Sequence, residues 1–253
     1  MSISGTSIVV AIPSVAAALA SANLASASFV GYVVTSTNTS LDGQSLVVYT
    51  LAARFDYTKD TVFAADNLTA TDSGDLTGFW HKDNSGNNDL GAVLSQTVGS
   101  WSPLDTGSST YNRPYDSYLT IGSVARAGNQ TEANVAWYTG GNADTRGWNR
   151  PDLPDNGGLG WYADEGGAQG RAGNSAGLGI LDVRLGQFVL SAGHAARTMN
   201  LDIIYSRGAD DISPDGEHPI FHASGSFTLG TVPAPGALAL IGLAGFAARS
   251  RRR

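Results

Sequence analysis

In several places within the body of the chain, residues 28–231, apolar and polar side chains alternate with a period of two. Val47, Tyr49, Leu51, Ala53, Phe55 and Tyr57 make every odd position apolar, with Thr50, Arg54 and Asp56 on the other parity. Met199, Leu201, Ile203 and Tyr205 repeat the pattern against Asn200, Asp202 and Ser206, and Phe221, Ala223, Phe227 and Leu229 do so against His222, Ser224, Ser226 and Thr228. Successive side chains of a strand point to opposite faces, so this period predicts strands with one face in a core and the other in water.

Over 180–190 the phase changes. Leu181, Val183 and Leu185 share one parity, Phe188 and Leu190 the other, and Gly186 stands at the switch. An extra residue in one strand shifts the alternation in this way, so a β-bulge is expected there. Further strands are expected over 29–36, 61–70, 76–80, 118–122 and 135–138. No long amphipathic helix lies between the two ends of the chain. Many short antiparallel strands without helices predict an all-β body, a two-sheet sandwich or jelly roll, with a closed barrel as the alternative. No fixed-period repeat points to a propeller or solenoid. The stretch 140–177, dense in Gly, Asn, Asp and Pro, reads as a long loop.

Composition agrees with this class. Hydrophobic residues make up 42%, enough for a sizeable core, and 32 glycines with almost no lysine favour turns over helices. The formal charge is −7; setting aside Arg249, Arg251, Arg252 and Arg253 leaves −11 for the rest. So acidic a body repels phosphate backbones, which argues against nucleic acid as a partner. With no cysteine, thiol catalysis and thiolate metal sites are excluded.

The two ends differ from the body. Ile8 to Ile12 and Val15 to Ala20 are apolar, and a small-residue stretch ends in Ala25-Ser26-Ala27. Ala25 and Ala27 fit the small-x-small rule of signal cleavage, so 1–27 is expected to be a helical signal peptide cut after Ala27, although Met1 to Ser7 carry no positive charge. The far end, 232–253, reads Val232-Pro233-Ala234-Pro235-Gly236, then an apolar run from Ala237 to Ala248, then the arginine cluster. A Pro-rich spacer, a short hydrophobic helix and a basic stop place the body outside a membrane by the positive-inside rule. The apolar run is shorter than the ~20 residues that span a bilayer comfortably.

This three-part tail resembles the PEP-CTERM sorting signal read by exosortase-type transpeptidases in bacteria that make exopolysaccharide. The usual Glu between the prolines is Ala234 here. The resemblance covers only the tail. It implies passage through the inner membrane with transient association through the C-terminal helix, processing by an exosortase, and an extracellular or outer-surface address. A plain C-terminal membrane anchor is the other reading.

Three kinds of site have candidates in the body. Asp210, Asp211, Asp215 and Glu217 crowd one short turn, and Asp83, Asn87 and Asp89 another; Ca²⁺ takes six to eight oxygens and such loops supply them. Asp and Asn also make hairpin turns without metal. Trp137, Trp148, Trp161 and Tyr162, with Tyr138, offer flat amphipathic rings for stacking on carbohydrate, or cover the end of the sandwich as a minor core. Glycoside hydrolysis needs two facing carboxylates, and Glu132, Glu165 and Glu217 show no spacing that singles out a pair. His81, His194, His218 and His222 form no metalloprotease motif, and no nucleophile elbow or phosphate loop is present. The expectation is therefore an exported, non-catalytic surface or matrix protein with a structural or adhesive role. A carbohydrate-binding module and a secreted glycan hydrolase are the alternatives.

Overall fold

A computed structural model describes residues 29–82, 93–103, 113–126, 128–134, 137, 148–155, 157–163, 168–174, 178–207 and 219–230. They form β1 (Phe29–Leu41), β2 (Gln44–Phe55), β3 (Thr61–Ala70), β4 (Tyr118–Leu119), β5 (Thr131–Ala133), β6 (Trp161–Ala163), β7 (Asp182–Ser191), β8 (Arg197–Ser206) and β9 (Ile220–Leu229). The strands make two sheets, ordered β1-β2-β7-β4 and β5-β6-β3-β8-β9, with every pairing antiparallel. Among the described residues no strand of one sheet pairs with a strand of the other, so the body is a two-sheet β-sandwich and not a closed barrel.

The alternating residues supply the inner faces. Tyr49, Leu51, Ala53 and Phe55 of β2 meet Met199, Leu201 and Ile203 of β8 and Phe227 and Leu229 of β9 in one buried core. Aromatic rings join the layers: Tyr32 lies edge to face 5.8 Å from Phe227, while Phe55 lies tilted 5.1 Å from Tyr205 and Phe188 tilted 6.1 Å from Phe227. Each fully buried ring of this kind contributes about 1.5–3 kcal/mol of transfer free energy. The Tyr32 hydroxyl also donates to the Leu201 carbonyl at 2.8 Å, tying β1 to β8 across the core. Asp42 and Gly43, with φ of 51° and 79°, close the β1–β2 hairpin in the primed geometry that matches strand twist.

The expected bulge is present in β7. Leu51 pairs with Gly186 but Ala52 pairs with Arg184, so Leu185 is the extra residue. Val183, Leu185, Phe188 and Leu190 consequently all point inward, and Arg184 and Gln187 both point outward despite their odd separation. At Gly186 a Cβ would come within 3.0 Å of a Leu119 methyl and 3.2 Å of the Tyr118 carbonyl, because β4 pairs closely there.

Some expectations need correction. The stretch 76–80 is not a strand: a 3₁₀ turn occupies Ser73–Leu76, held by the Asp72 carboxylate accepting from the Gly74 amide. Its apolar residues Leu76 and Phe79 are buried nonetheless, in an irregular segment. Over 118–122 only Tyr118–Leu119 is strand, and Gly122 turns the chain at φ 71°. Most of 135–138 lies outside the described residues. The stretch 140–177 is not simply a loop: Trp148, Leu153 and Leu159 enter the core, and β6 pairs with both β3 and β5. Its turn-forming composition sets the bends, while widely spaced apolar residues do the packing. The ends, 1–27 and 232–253, lie outside the described residues, and among the described residues no helix is long and apolar enough to cross a membrane.

Gly186→Val forces a branched side chain against β4. We expect a loss of about 1–3 kcal/mol, the usual cost of overpacking, read as a lower urea midpoint with unchanged slope.

Candidate functional site: a groove on the outer face of the four-stranded sheet

The residues that alternate with the core define the opposite face of the β1-β2-β7-β4 sheet. They include Thr35, Thr37 and Thr39 of β1, Val48, Thr50, Ala52 and Arg54 of β2, and Asp182, Arg184 and Gln187 of β7. One end of this face is covered. Trp80, Leu94 and Tyr115 pack on Leu46, Val48 and Val189 as a second, small core. The Trp80 indole N–H donates to Ser191 Oγ at 2.9 Å, its backbone N–H donates to the Val189 carbonyl at 2.8 Å, and Ser117 Oγ donates to the Trp80 carbonyl at 2.7 Å.

Beside this cover a groove of about 500 Å³ remains, lined by Thr37, Thr39, Val48, Thr50, Pro114, Tyr115, Tyr118, Val124, Ala125, Arg184 and Gln187. That volume lies within the range of ligand-binding clefts, roughly 300–1,000 Å³. The floor is fixed by hydrogen bonds. Arg184 Nη1 donates to Thr50 Oγ1 at 3.2 Å across β7 and β2, and Gln187 Nε2 donates to the Asp116 carbonyl at 2.7 Å. A smaller hollow of about 210 Å³ continues the groove past Thr50, where Arg54 holds Asp182 in a two-pronged pair at 2.7 and 2.9 Å. Among the described residues of the groove lining, Arg184 is the charged side chain.

No family model, curated protein or solved structure matches the chain.

The structure brings together few of the residues the sequence singled out. Trp137, Trp148 and Trp161 are buried in the main core, so they offer no ring face to a sugar; this corrects the stacking reading in favour of the core reading. Trp137 and Trp148 lie 4.9 Å apart, and the indole N–H groups of Trp137 and Trp161 donate to the carbonyls of Gly160 and Thr120 at 2.8 and 3.0 Å. Tyr162 alone of the four is exposed, and its hydroxyl donates to Glu132 at 3.2 Å. Asp83, Asn87 and Asp89, and Asp210, Asp211, Asp215 and Glu217, lie outside the described residues, as do Glu165 and His218; among the described residues no three His, Cys, Asp or Glu side chains converge on a metal position. His222 is exposed on β9.

Sequence reasoning missed one buried dyad. His81 Nδ1 lies 3.5 Å from Asp116 Oδ1, both side chains fully buried, while His81 Nε2 contacts the Pro151 carbonyl at 2.9 Å. A catalytic His–Asp pair would aim that second nitrogen at a nucleophile. Here a backbone carbonyl takes it, and the ring packs 4.9 Å from Trp101, so the dyad fastens the covering segment in place. Asp116 also accepts from the Lys82 amide at 3.1 Å, and Lys82 Nζ reaches Asp42 in the β1–β2 turn at 2.9 Å. Gly99 leaves the space: a Cβ there would collide with the His81 ring.

Asp60 is a second buried charge, in the connection that carries the chain from β2 in one sheet to β3 in the other. Both carboxylate oxygens are buried without a hydrogen-bond partner. Burial first, and then the nearby Asp56 carboxylate, push its pKa up to about 6, with Arg207 pulling in the opposite direction.

Two outcomes are expected. Trp161→Ala should cost about 3–5 kcal/mol in chemical denaturation, the range for an aromatic deleted from a packed core. For Asp60 the folded pKa lies above the unfolded value of about 3.9, so the native state binds the proton more tightly and stability falls as pH rises from about 4 through about 6. Asp60→Asn should therefore be more stable than wild type by about 1–3 kcal/mol at pH 7, with the gap closing at pH 4. Urea midpoints at the two pH values check this, and a gap that widened on acidification would contradict it.

Proposed function

We propose that the chain is an exported, non-catalytic protein of the cell surface or extracellular matrix, whose β-sandwich body attaches to extracellular polymer through the groove on its outer sheet. In this reading 1–27 is a helical signal peptide and 232–253 a PEP-CTERM-type tail with a short hydrophobic helix, handled by the export machinery and an exosortase-type transpeptidase. Support at the ends comes from sequence: the Ala25-x-Ala27 step, the Val232-Pro233-Ala234-Pro235-Gly236 start and the terminal arginines.

Support in the body comes from the groove lining. Hydroxyls, an amide, two phenols, a guanidinium and short apolar side chains equip it for hydrogen bonding and contact. Among its described lining residues no carboxylate pair, imidazole or thiol is placed to move a proton or attack a bond, which favours binding over turnover.

Mass spectrometry of the protein recovered from its native source tests the route. The mature chain should lack residues 1–27 and the arginine cluster. An intact Arg253 on the extracted protein would favour a plain membrane anchor.

A further inference from the structure

β1 lies at the rim of the four-stranded sheet and, among the described residues, pairs with one strand only, β2. It has 13 residues, about 43 Å at roughly 3.3 Å per residue and more than twice the usual strand length. From Gly31 to Leu41 it follows β2 without a break in register. A rim of this kind offers a row of unpaired backbone N–H and C=O groups, and natural edges are usually blunted by charges, prolines, bulges or short length. β1 carries no charged residue and no proline, and its one irregularity lies at its start, between Phe29 and Gly31. Thr35, Ser36, Thr37 and Asn38, at its middle, are exposed.

The second sheet repeats the feature on the same flank. β9 is its outermost strand, 10 residues with no Asp, Glu, Lys, Arg or Pro. It lies against β1: a Cβ at Gly225 would come within 3.1 Å of the Tyr32 ring and 3.6 Å of the Phe29 ring. The exposed apolar side chains Val30 and Ile220 stand at the starts of the two strands. The opposite flank differs, since β4 and β5, which end the two sheets there, have 2 and 3 residues.

Charge and area both favour a second copy of the chain as the occupant. Outside the terminal arginines the chain carries −11, so two copies repel wherever that charge is brought together. β1 and β9 contribute none of it. Layers about 10 Å apart make the flank about 15 Å deep, and a face about 40 Å long then covers about 600 Å² on each copy; the total of about 1,200 Å² is the lower bound of specific interfaces.

We propose that the chain forms a twofold dimer through this flank, β1 of one copy pairing antiparallel to β1 of the other about an axis near Thr35. Such a contact is self-complementary and closed. The parity of the side chains agrees with it. Thr35 meets its own counterpart and Val33 meets the partner's Thr37, and all of these positions lie on the groove side of the sheet. The two four-stranded sheets then run on as one.

Sedimentation equilibrium of the purified full-length chain tests this. Dimer should appear between about 1 and about 100 µM, as suits an interface of this size. Thr35→Lys lowers the net negative charge and so eases general repulsion, yet it sets like charges opposite each other at the axis; the dimer should weaken about fivefold or more. Val93→Lys, the same charge at another exposed position, should not weaken it. Thr35→Cys gives a second reading that keeps the pairing. The chain has no cysteine, so mild oxidation should link two copies at position 35, while Val93→Cys should stay unlinked. A monomer across the whole range would overturn the proposal. So would a dimer that Thr35→Lys leaves intact, as one held by the terminal segments would be, or open-ended oligomers, which mark β1 pairing with β9 instead of with itself.

Discussion

One extra residue in β7 sets both faces of the four-stranded sheet. Without Leu185 out of register, the alternation that buries Val183 would turn Phe188 and Leu190 toward water, and Arg184 and Gln187 would stand on opposite sides. Because Phe188 packs against Phe79, Trp101 and Phe227, the inter-layer aromatic core would lose its centre. The bulge therefore does two jobs through one backbone irregularity: it keeps the core continuous along a long strand, and it gathers the polar floor of the groove. Gly186 makes this compatible with a close neighbour, since β4 leaves little room for a side chain there.

The long strands were legible because their periodicity is local. β2, β3, β7, β8 and β9 lie where alternation or apolar runs put them, and even the bulge is visible as a phase change around Gly186. The 76–80 stretch shows the limit of that signal: Leu76 and Phe79 are three apart, a spacing that strand alternation does not produce, and a 3₁₀ turn followed by irregular chain buries both. The Asp42-Gly43 dipeptide was a readable hairpin signal that strand periodicity alone passes over. The tryptophans near the glycine-rich stretch gave an ambiguous signal, because a ring flanked by turn residues reads the same whether the turns fold over it or leave it outside. The indole N–H groups of Trp137 and Trp161 bond to the Gly160 and Thr120 carbonyls, so for these two rings burial costs no unmade hydrogen bond.

The groove was not legible at all. Its floor joins Arg184 to Thr50, 134 positions apart in the chain, and its boundary is set by how far Trp80, Leu94 and Tyr115 cover the outer face. The polar ties behind that cover are equally non-local. Lys82 reaches back to the β1–β2 turn, Asp116 accepts from the Lys82 amide, and His81 lies between Asp116 and the Pro151 carbonyl. Each group is unremarkable in sequence. Together they pin a long irregular segment to a sheet, with hydrogen bonds substituting for the ladder it lacks.

The pairing of β2 with β7 has a consequence for the order of assembly. β1 and β2 are made early and close on each other through a two-residue turn, but the strand that completes their sheet arrives only near the end of the body. β3 likewise pairs with β8, its main partner, from the same late region. Until those last strands arrive, the early hairpin has one edge unpaired and its apolar side uncovered, and loop-closure entropy weighs against any lasting compact form. A chain wired in this way stays threadable for most of its synthesis and locks abruptly once its late strands are present.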